Sequence, residues 1–510
     1  MNRFRRISFV SLIALVSLLI AGCQNNPTGN AVTSKNDGAF NAGIIQNASE
    51  PESGQTVPLI QTIQYSDSFS STDDSVSFSL NLEKQFDYKT WPVVEVVPHY
   101  LTSEDAQRVA SVLFGKAALY EKKPDAVLSY SRSEIQECIQ RWLPYTNTEK
   151  LRELLGEDWS QGYAEDMASD IKKGIEVFTE KYESAPEENP YEMCKWIFQP
   201  SCFYSYTAEE LTDIDISRYN DEIDATSTIN NIPYEIRFSK RDRTDYKLNY
   251  IIAYPYSEFS PRGIDDSIFR TLLCSTAKPD DAKMGSIAQK AQNMLDEMAL
   301  GEWIVDSYSV VTMQEGEYAQ YAIEVTAVPV FQGVPAIRCT QLGNLKSKAS
   351  YASNYYLTDA HFRFSANGDL LLFEMYSTID VKEVLNANVA TLPREKLLEQ
   401  AKSHLMLSDY YEYGLGQDLL QDIEKDAKEA LRCSVEICQI DEGMLRVKVP
   451  NTDESYYYVP GIVLSGTIDY VGSKTGNFYA SSGNGLYDQR IVPLVAINAI
   501  DGSVIALSNE

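Results

Sequence analysis

The spacing of apolar and polar positions changes period several times along the chain. Val76, Phe78, Leu80 and Leu82 alternate with Ser77, Ser79 and Asn81, the period of a half-buried strand. Val93–Val97 predicts a second strand, stopped by Pro98. Thr102 with Asp105 three positions later opens a helix, and Gly115 sits where it should end. Ile135, Cys138, Ile139 and Trp142 then fall on one helical face behind a Ser131/Glu134 cap. Helical signals continue through 151–155 and 167–178 until Pro186 and Pro190. After an acidic connector at 207–228 the period returns to two. Tyr234, Ile236 and Phe238 lead through the turn RDRTD into Leu248, Tyr250 and Ile252, a hairpin signal.

The C-terminal half reads as two similar units. A helix over 286–300 precedes strands at 305–313 and 318–330 and a hairpin turning at Asn367-Gly368. A second helix from Pro393-Arg394 to Met406 precedes strands at 433–440, 445–449 and 456–468 and a hairpin turning at Asp501-Gly502. Both turn dipeptides suit a type I′ turn, in which each central residue is left-handed. Asp280-Asp281 reads as a solvated pair just ahead of the first helix. The expected architecture is multi-domain α+β, with antiparallel sheets each packed by helices. The expected segments are 1–22, 23–57 as a flexible Asn/Ser/Gly-rich tether, 58–275 as an N-terminal α+β domain, 286–390 and 391–510.

The N-terminus supplies an address. Arg3, Arg5 and Arg6 precede an apolar run, Ile7–Ile20, that is too short to span a bilayer comfortably. Ile20-Ala21-Gly22-Cys23 follows and resembles the bacterial lipobox. That resemblance implies a cleaved signal peptide and an acylated Cys23, anchored to the outer face of the cell membrane by its acyl chains. Formal net charge is −29, which makes nucleic acid and bare anionic lipid poor candidate partners. Cys138, Cys194, Cys202, Cys274, Cys339, Cys433 and Cys438 show no CxxC spacing and read mostly as buried thiols, although Cys194 and Cys202 lie close enough in sequence to close a small loop.

The ending INAIDGSVI, behind a helix and a meander, resembles the PepSY-type domain, and the stacking of two such units is similar to the Yyc-type extracytoplasmic regulators of sensor kinases. Asn498 and Asp501 depart from the usual Asp and Thr of that motif. Pro98-His99, Asn231-Ile232-Pro233-Tyr234 and the same ending resemble uncharacterised lipoproteins of Clostridia and related Firmicutes. These resemblances imply architecture and location, not chemistry.

Candidate chemistry is sparse. Asp213, Asp215, Asp221 and Asp224 occupy calcium-loop positions, but Arg218 stands where such a loop needs Gly. No HExxH, GxSxG, P-loop or dinucleotide motif occurs, no carboxylate pair stands out, and no catalytic residue, metal or cofactor is expected. His99 beside Pro98 and His404 on the second helix read as structural. Tyr410, Tyr411 and Tyr413, with Tyr456, Tyr457 and Tyr458, are candidates for a recognition surface, the alternative being sheet packing. The expected function is a non-enzymatic binding or regulatory module contacting a membrane or envelope protein. A receptor for solutes or glycans is the alternative.

Overall fold

The computed structural model describes residues 61–71, 76–86, 90–122, 130–155, 161–188, 192–204, 210–216, 219–230, 232–242, 247–256, 270, 273–274, 276–314, 320–338, 359–407, 431–448, 455–472, 478–480 and 491–505. Three strands lead: β1 (Gln61–Ser70), β2 (Val76–Phe86) and β3 (Val93–Pro98). Then come α1 (Ser103–Phe114), the short β4 (Tyr120–Glu121) and a helical lobe of α2 (Arg132–Trp142), α3 (Thr148–Leu155) and α4 (Gln161–Tyr182). β5 (Gln199–Pro200), β6 (Asp221–Ile229), β7 (Ile232–Asp242) and β8 (Lys247–Pro255) complete the first half. The second half continues with α5 (Asp281–Met298), β9 (Trp303–Gln314), β10 (Gln320–Phe331), β11 (Val334–Pro335), β12 (Asp359–Ser365), β13 (Leu370–Tyr376) and β14 (Ile379–Asn386). It ends with α6 (Arg394–Leu407), β15 (Leu431–Lys448), β16 (Tyr456–Gly472), β17 (Phe478–Ala480), β18 (Val492–Asn498) and β19 (Val504–Ile505).

Among the described residues these strands form two sheets, and the class is α+β. One sheet is ten-stranded, in the order β11-β10-β12-β13-β8-β7-β6-β4 with β9 on β10 and β5 on β6. The other is nine-stranded, β1-β2-β15-β16-β18-β19 with β3 and β17 on β16 and β14 on β3. The segments 58–275 and 286–390 are therefore each divided between the sheets, because β1–β3 and β14 belong to the nine-stranded sheet while β4–β13 belong to the ten-stranded one. β2 lies parallel to β15, and its inward residues Val76, Phe78, Leu80 and Leu82 are all buried.

Helices cover one face of each sheet. α1 and α5 bury Val109, Phe114, Ile287 and Leu295 against Ile236, Phe238, Ile251, Phe362 and Phe373 of the ten-stranded sheet. α6 buries Leu397, Leu398 and Leu405 against Val435, Ile437, Leu464 and Ile497 of the nine-stranded one. α5 with β9-β10-β12-β13, and α6 with β15-β16-β18-β19, have the same element order and the same antiparallel meander. The sheets meet where the tip of the β10–β11 hairpin, Phe331 and Val334, packs on Val94, Val96, Met444 and Tyr458. The Ile337 amide donates to the Met444 carbonyl there, and a Cβ on Gly443 would lie 2.6 Å from the Pro335 carbonyl oxygen. Only glycine allows backbones to approach so closely.

Local expectations hold at both capping boxes, Thr102/Asp105 and Ser131/Glu134. Ser131 secures the entry to the helical lobe, whose core is Ile135, Trp142, Ile171 and Phe178. Ser131→Ala is expected to cost about 1 kcal/mol, seen as a lower urea midpoint by circular dichroism at 222 nm. Asp280 and Asp281 are both exposed, as a solvated pair should be, and Asp280 is in addition the cap of α5, accepting from the Lys283 amide at 2.8 Å. One expectation needs correction. The final turns of the two meanders are not type I′, since Gly368 and Gly502 have positive φ while Asn367 and Asp501 do not. Asp501 instead accepts from the Ser503 amide.

Candidate functional site

The face of the ten-stranded sheet turned away from α1 and α5 is polar across almost its whole width. Alternation along each strand compels this arrangement. Ile223, Ile236, Ile251, Phe373, Phe362 and Val325 point to the helices, so their neighbours point the other way. Those neighbours include Glu222 and Asp224 on β6, Glu235 and Arg237 on β7, Tyr250 and Tyr254 on β8, and Glu374 and Tyr376 on β13. Asp359, His361 and Arg363 on β12 and Glu324 on β10 extend the row.

At one end Lys122 lies 2.7 Å from Glu235 and 3.5 Å from Asp224, and Arg237 lies 2.9 and 3.2 Å from the same two carboxylates. Tyr254 donates to Glu235, while Ser239 and Tyr250 donate to Glu222. The Asp224 side chain is only 2% exposed, and burial, then the neighbouring Glu235 charge, holds its pKa above the usual carboxylate range despite the two cations. Its Oδ1 atom has no hydrogen-bond partner.

At the other end His361 Nε2 lies 2.8 Å from Glu324, and Nδ1 lies 3.6 Å from Glu374. Arg363 donates to Glu324 at 2.7 Å, Tyr376 donates to Glu374, and Arg338 joins Asp359 to Thr326. Burial pulls the His361 pKa down, but the hydrogen bonds to Glu324 and Glu374 outweigh it and lift it to about 8. Burial likewise raises the Glu324 pKa, and the bonds from His361 and Arg363 reverse this, taking it to about 2. The two ends meet at Tyr250 and Tyr376, whose ring centroids are 6.3 Å apart. With His361 protonated, the carboxylates Glu222, Asp224, Glu235, Glu324, Asp359 and Glu374 face Lys122, Arg237, Arg338, Arg363 and His361, so the face comes close to neutralising itself.

The second constellation lies at the crossovers between the sheets. The chain leaves the nine-stranded sheet at Pro98 and returns to it at Ile379, and the two crossings run side by side, the His99 amide donating to the Thr378 carbonyl at 2.8 Å. The His99 ring sits between Asp380, 3.0 Å from Nδ1, and Asp105, 3.2 Å from Nε2, while Asn249 of β8 donates to the His99 carbonyl. The ring thus ties α1 to β14, one nitrogen to each carboxylate. Among the described residues neither imidazole is bonded to a serine, threonine or cysteine, and no group of three His, Cys, Asp or Glu side chains is placed to hold a metal ion.

The sequence candidates fare differently. Cys23, Tyr410, Tyr411 and Tyr413 lie outside the described residues. Tyr456, Tyr457 and Tyr458 are not a surface: they are buried in β16, with Tyr456 under the Arg446 guanidinium and Tyr458 against Phe331. The calcium loop does not form. Asp221 and Asp224 lie three apart on a strand, one exposed and the other buried against Lys122 and Arg237, so they face opposite ways. Asp215 is exposed, and Asp213 ends a 3-10 turn whose backbone alone is described there. Cys194 and Cys202 do not close a disulfide, and Cys138, Cys274 and Cys438 are likewise thiols. His404 lies half-buried on α6.

His361, absent from the sequence candidates, had one usable signal. A hairpin turning at Asn367-Gly368 sets it opposite Glu374, the observed register. Its second carboxylate, Glu324, comes from β10, across the sheet on the far side of β12, and no local pattern announces it.

No helix among the described residues is long and apolar enough to cross a membrane. No protein-family model matches the chain, and no curated protein matches it significantly. Among solved structures, the chain is similar to an uncharacterised protein from Eubacterium rectale ATCC 33656 at 8% sequence identity, over 91% of this chain and 99% of the other, with a TM-score of 0.34.

Proposed function

We propose that the chain is a lipid-anchored, extracytoplasmic binding module without catalytic activity, built on two PepSY-like helix-on-sheet units and contacting a protein of the membrane or envelope. The observation that carries this reading is the matched pair α5 with β9-β10-β12-β13 and α6 with β15-β16-β18-β19. In both, the glycine of the last turn tucks beneath the helix segment: a Cβ at Gly368 would lie 3.2 Å from Ile287, and one at Gly502 would lie 3.2 Å from Leu392. The ionisable groups support binding rather than turnover, because their charges are spent on one another. A solute or glycan receptor is the second reading, favoured by Tyr250, Tyr254 and Tyr376 standing among charged groups on one face.

The test uses intact cells of the native host. Because both sheets mix early and late strands, truncation at 286 would strip β13 from β8, so point replacements are the sounder probe. A photoreactive residue at exposed positions such as Leu143, Ile197, Tyr308 or Val381 is expected to capture one membrane or envelope protein repeatedly, identified by mass spectrometry. Cys23→Ser is expected to shift the chain from the membrane to the soluble fraction. Capture of background proteins alone from every position overturns the reading.

A further inference from the structure

We propose that the outer edge of β9 is a docking edge for a basic, extended polypeptide segment, which adds to the ten-stranded sheet as a further strand. The proposal rests on the binding-module reading and names the partner's chemistry. Among the described residues β9 pairs only with β10, leaving a twelve-residue strand with its other edge unpaired. Ile304, Asp306, Ser307, Tyr308, Ser309 and Thr312 are all exposed, Ile304 by 45% and Tyr308 by 48%.

Exposed edges ordinarily carry charges that deter a further strand. β14, also an edge, does so, with Asp380, Lys382 and Glu383 in an exposed run. β9 carries one near its start, Asp306, and beyond it Ser307–Thr312 reads SYSVVT, with no charge, proline or glycine and a composition well suited to strands. An extended peptide laid there would gain main-chain hydrogen bonds, with Tyr308 and Ile304 offering apolar contact.

Charge selects the occupant. From Ala291 to Ile337 the chain contains no Lys, Arg or His, and Asp296, Glu297, Glu302 and Asp306 are exposed around the start of β9. A second copy brings its own acidic flank and a net charge of −29 to meet the first. A segment with lysine or arginine beside β-forming residues meets complementary charge instead.

The probe is a capped twelve-residue peptide alternating valine and lysine, titrated into the full chain in detergent by fluorescence anisotropy. Saturable binding is expected, with affinity falling about tenfold or more when alternate peptide amides are N-methylated, which keeps charge and composition but blocks strand pairing. A photoreactive residue at position 308 is expected to crosslink the unmodified peptide. Equal binding of the methylated peptide means charge attraction alone and overturns the proposal. So do preference for a valine–glutamate peptide and chain-to-chain crosslinks from position 308, the latter assigning the edge to a second copy. If intact cells yield a partner from other positions but not from 308, this proposal falls and the binding-module reading stands.

Discussion

Arg237→Leu is expected to destabilise the protein by about 3–5 kcal/mol at neutral pH, because it removes one partner from a buried ionic cluster. The guanidinium is shared by Asp224, Glu235 and Glu222, whose side chains are 2%, 8% and 8% exposed. Without it Lys122 is left to answer three carboxylates. The sign of the pH effect follows: the stranded carboxylates bind protons more readily in the folded variant than in the unfolded chain, so the deficit shrinks as pH falls and the carboxylates become neutral. Urea unfolding of both proteins between pH 4.5 and 8 measures it. A loss that does not change with pH would mean that Arg237 acts through packing alone. Adding Asp224→Asn is expected to recover part of the stability at neutral pH.

His361→Gln is expected to lose about 2 kcal/mol at low pH and little at high pH. The native pKa of about 8 lies above the unfolded histidine value near 6.5, and each unit is worth about 1.4 kcal/mol. A raised pKa contributes stability that is complete below the unfolded value and lost as pH rises through the folded one. The difference between the two proteins should therefore be full at pH 6 and nearly gone at pH 9. Glu324 belongs to the same contact, so its depressed pKa is not a further gain to be added. Titration of the His361 ring by NMR gives the pKa directly, and a value near or below 6.5 would refute the pairing with Glu324 and Glu374.

These two residues also mark where local pattern stops being informative. Arg237 was legible as an outward position on β7, alternating with Ile236 and Phe238, and such positions ordinarily face water. Asp224 was read as part of an acidic loop because its run is dense in oxygen ligands. What overrides both readings is the neighbourhood of β4 and β7 on either side of β6, which places Lys122 and Arg237 against Asp224. The tyrosines at 456–458 failed for a similar reason. β16 has β3 and β15 on its two sides and the β10–β11 hairpin packed against it, so a cluster that looks like a recognition loop is a covered strand.

Sequence alone determined what depends on contacts a few residues apart. Capping boxes, the turn positions, the helical face of Ile135, Cys138 and Trp142, and the alternation of β2 and β7 are all satisfied within one element or one hairpin. The tertiary structure decided everything whose partner lies far along the chain. β2 joins β15 in parallel, β3 joins β14 and β16, Asp380 closes on His99, and Glu324 reaches His361. The physical reason is that periodicity reports which face of an element is apolar, whereas strand order and the pairing of charges are chosen by the packing of whole sheets against one another, and that information is spread over hundreds of residues.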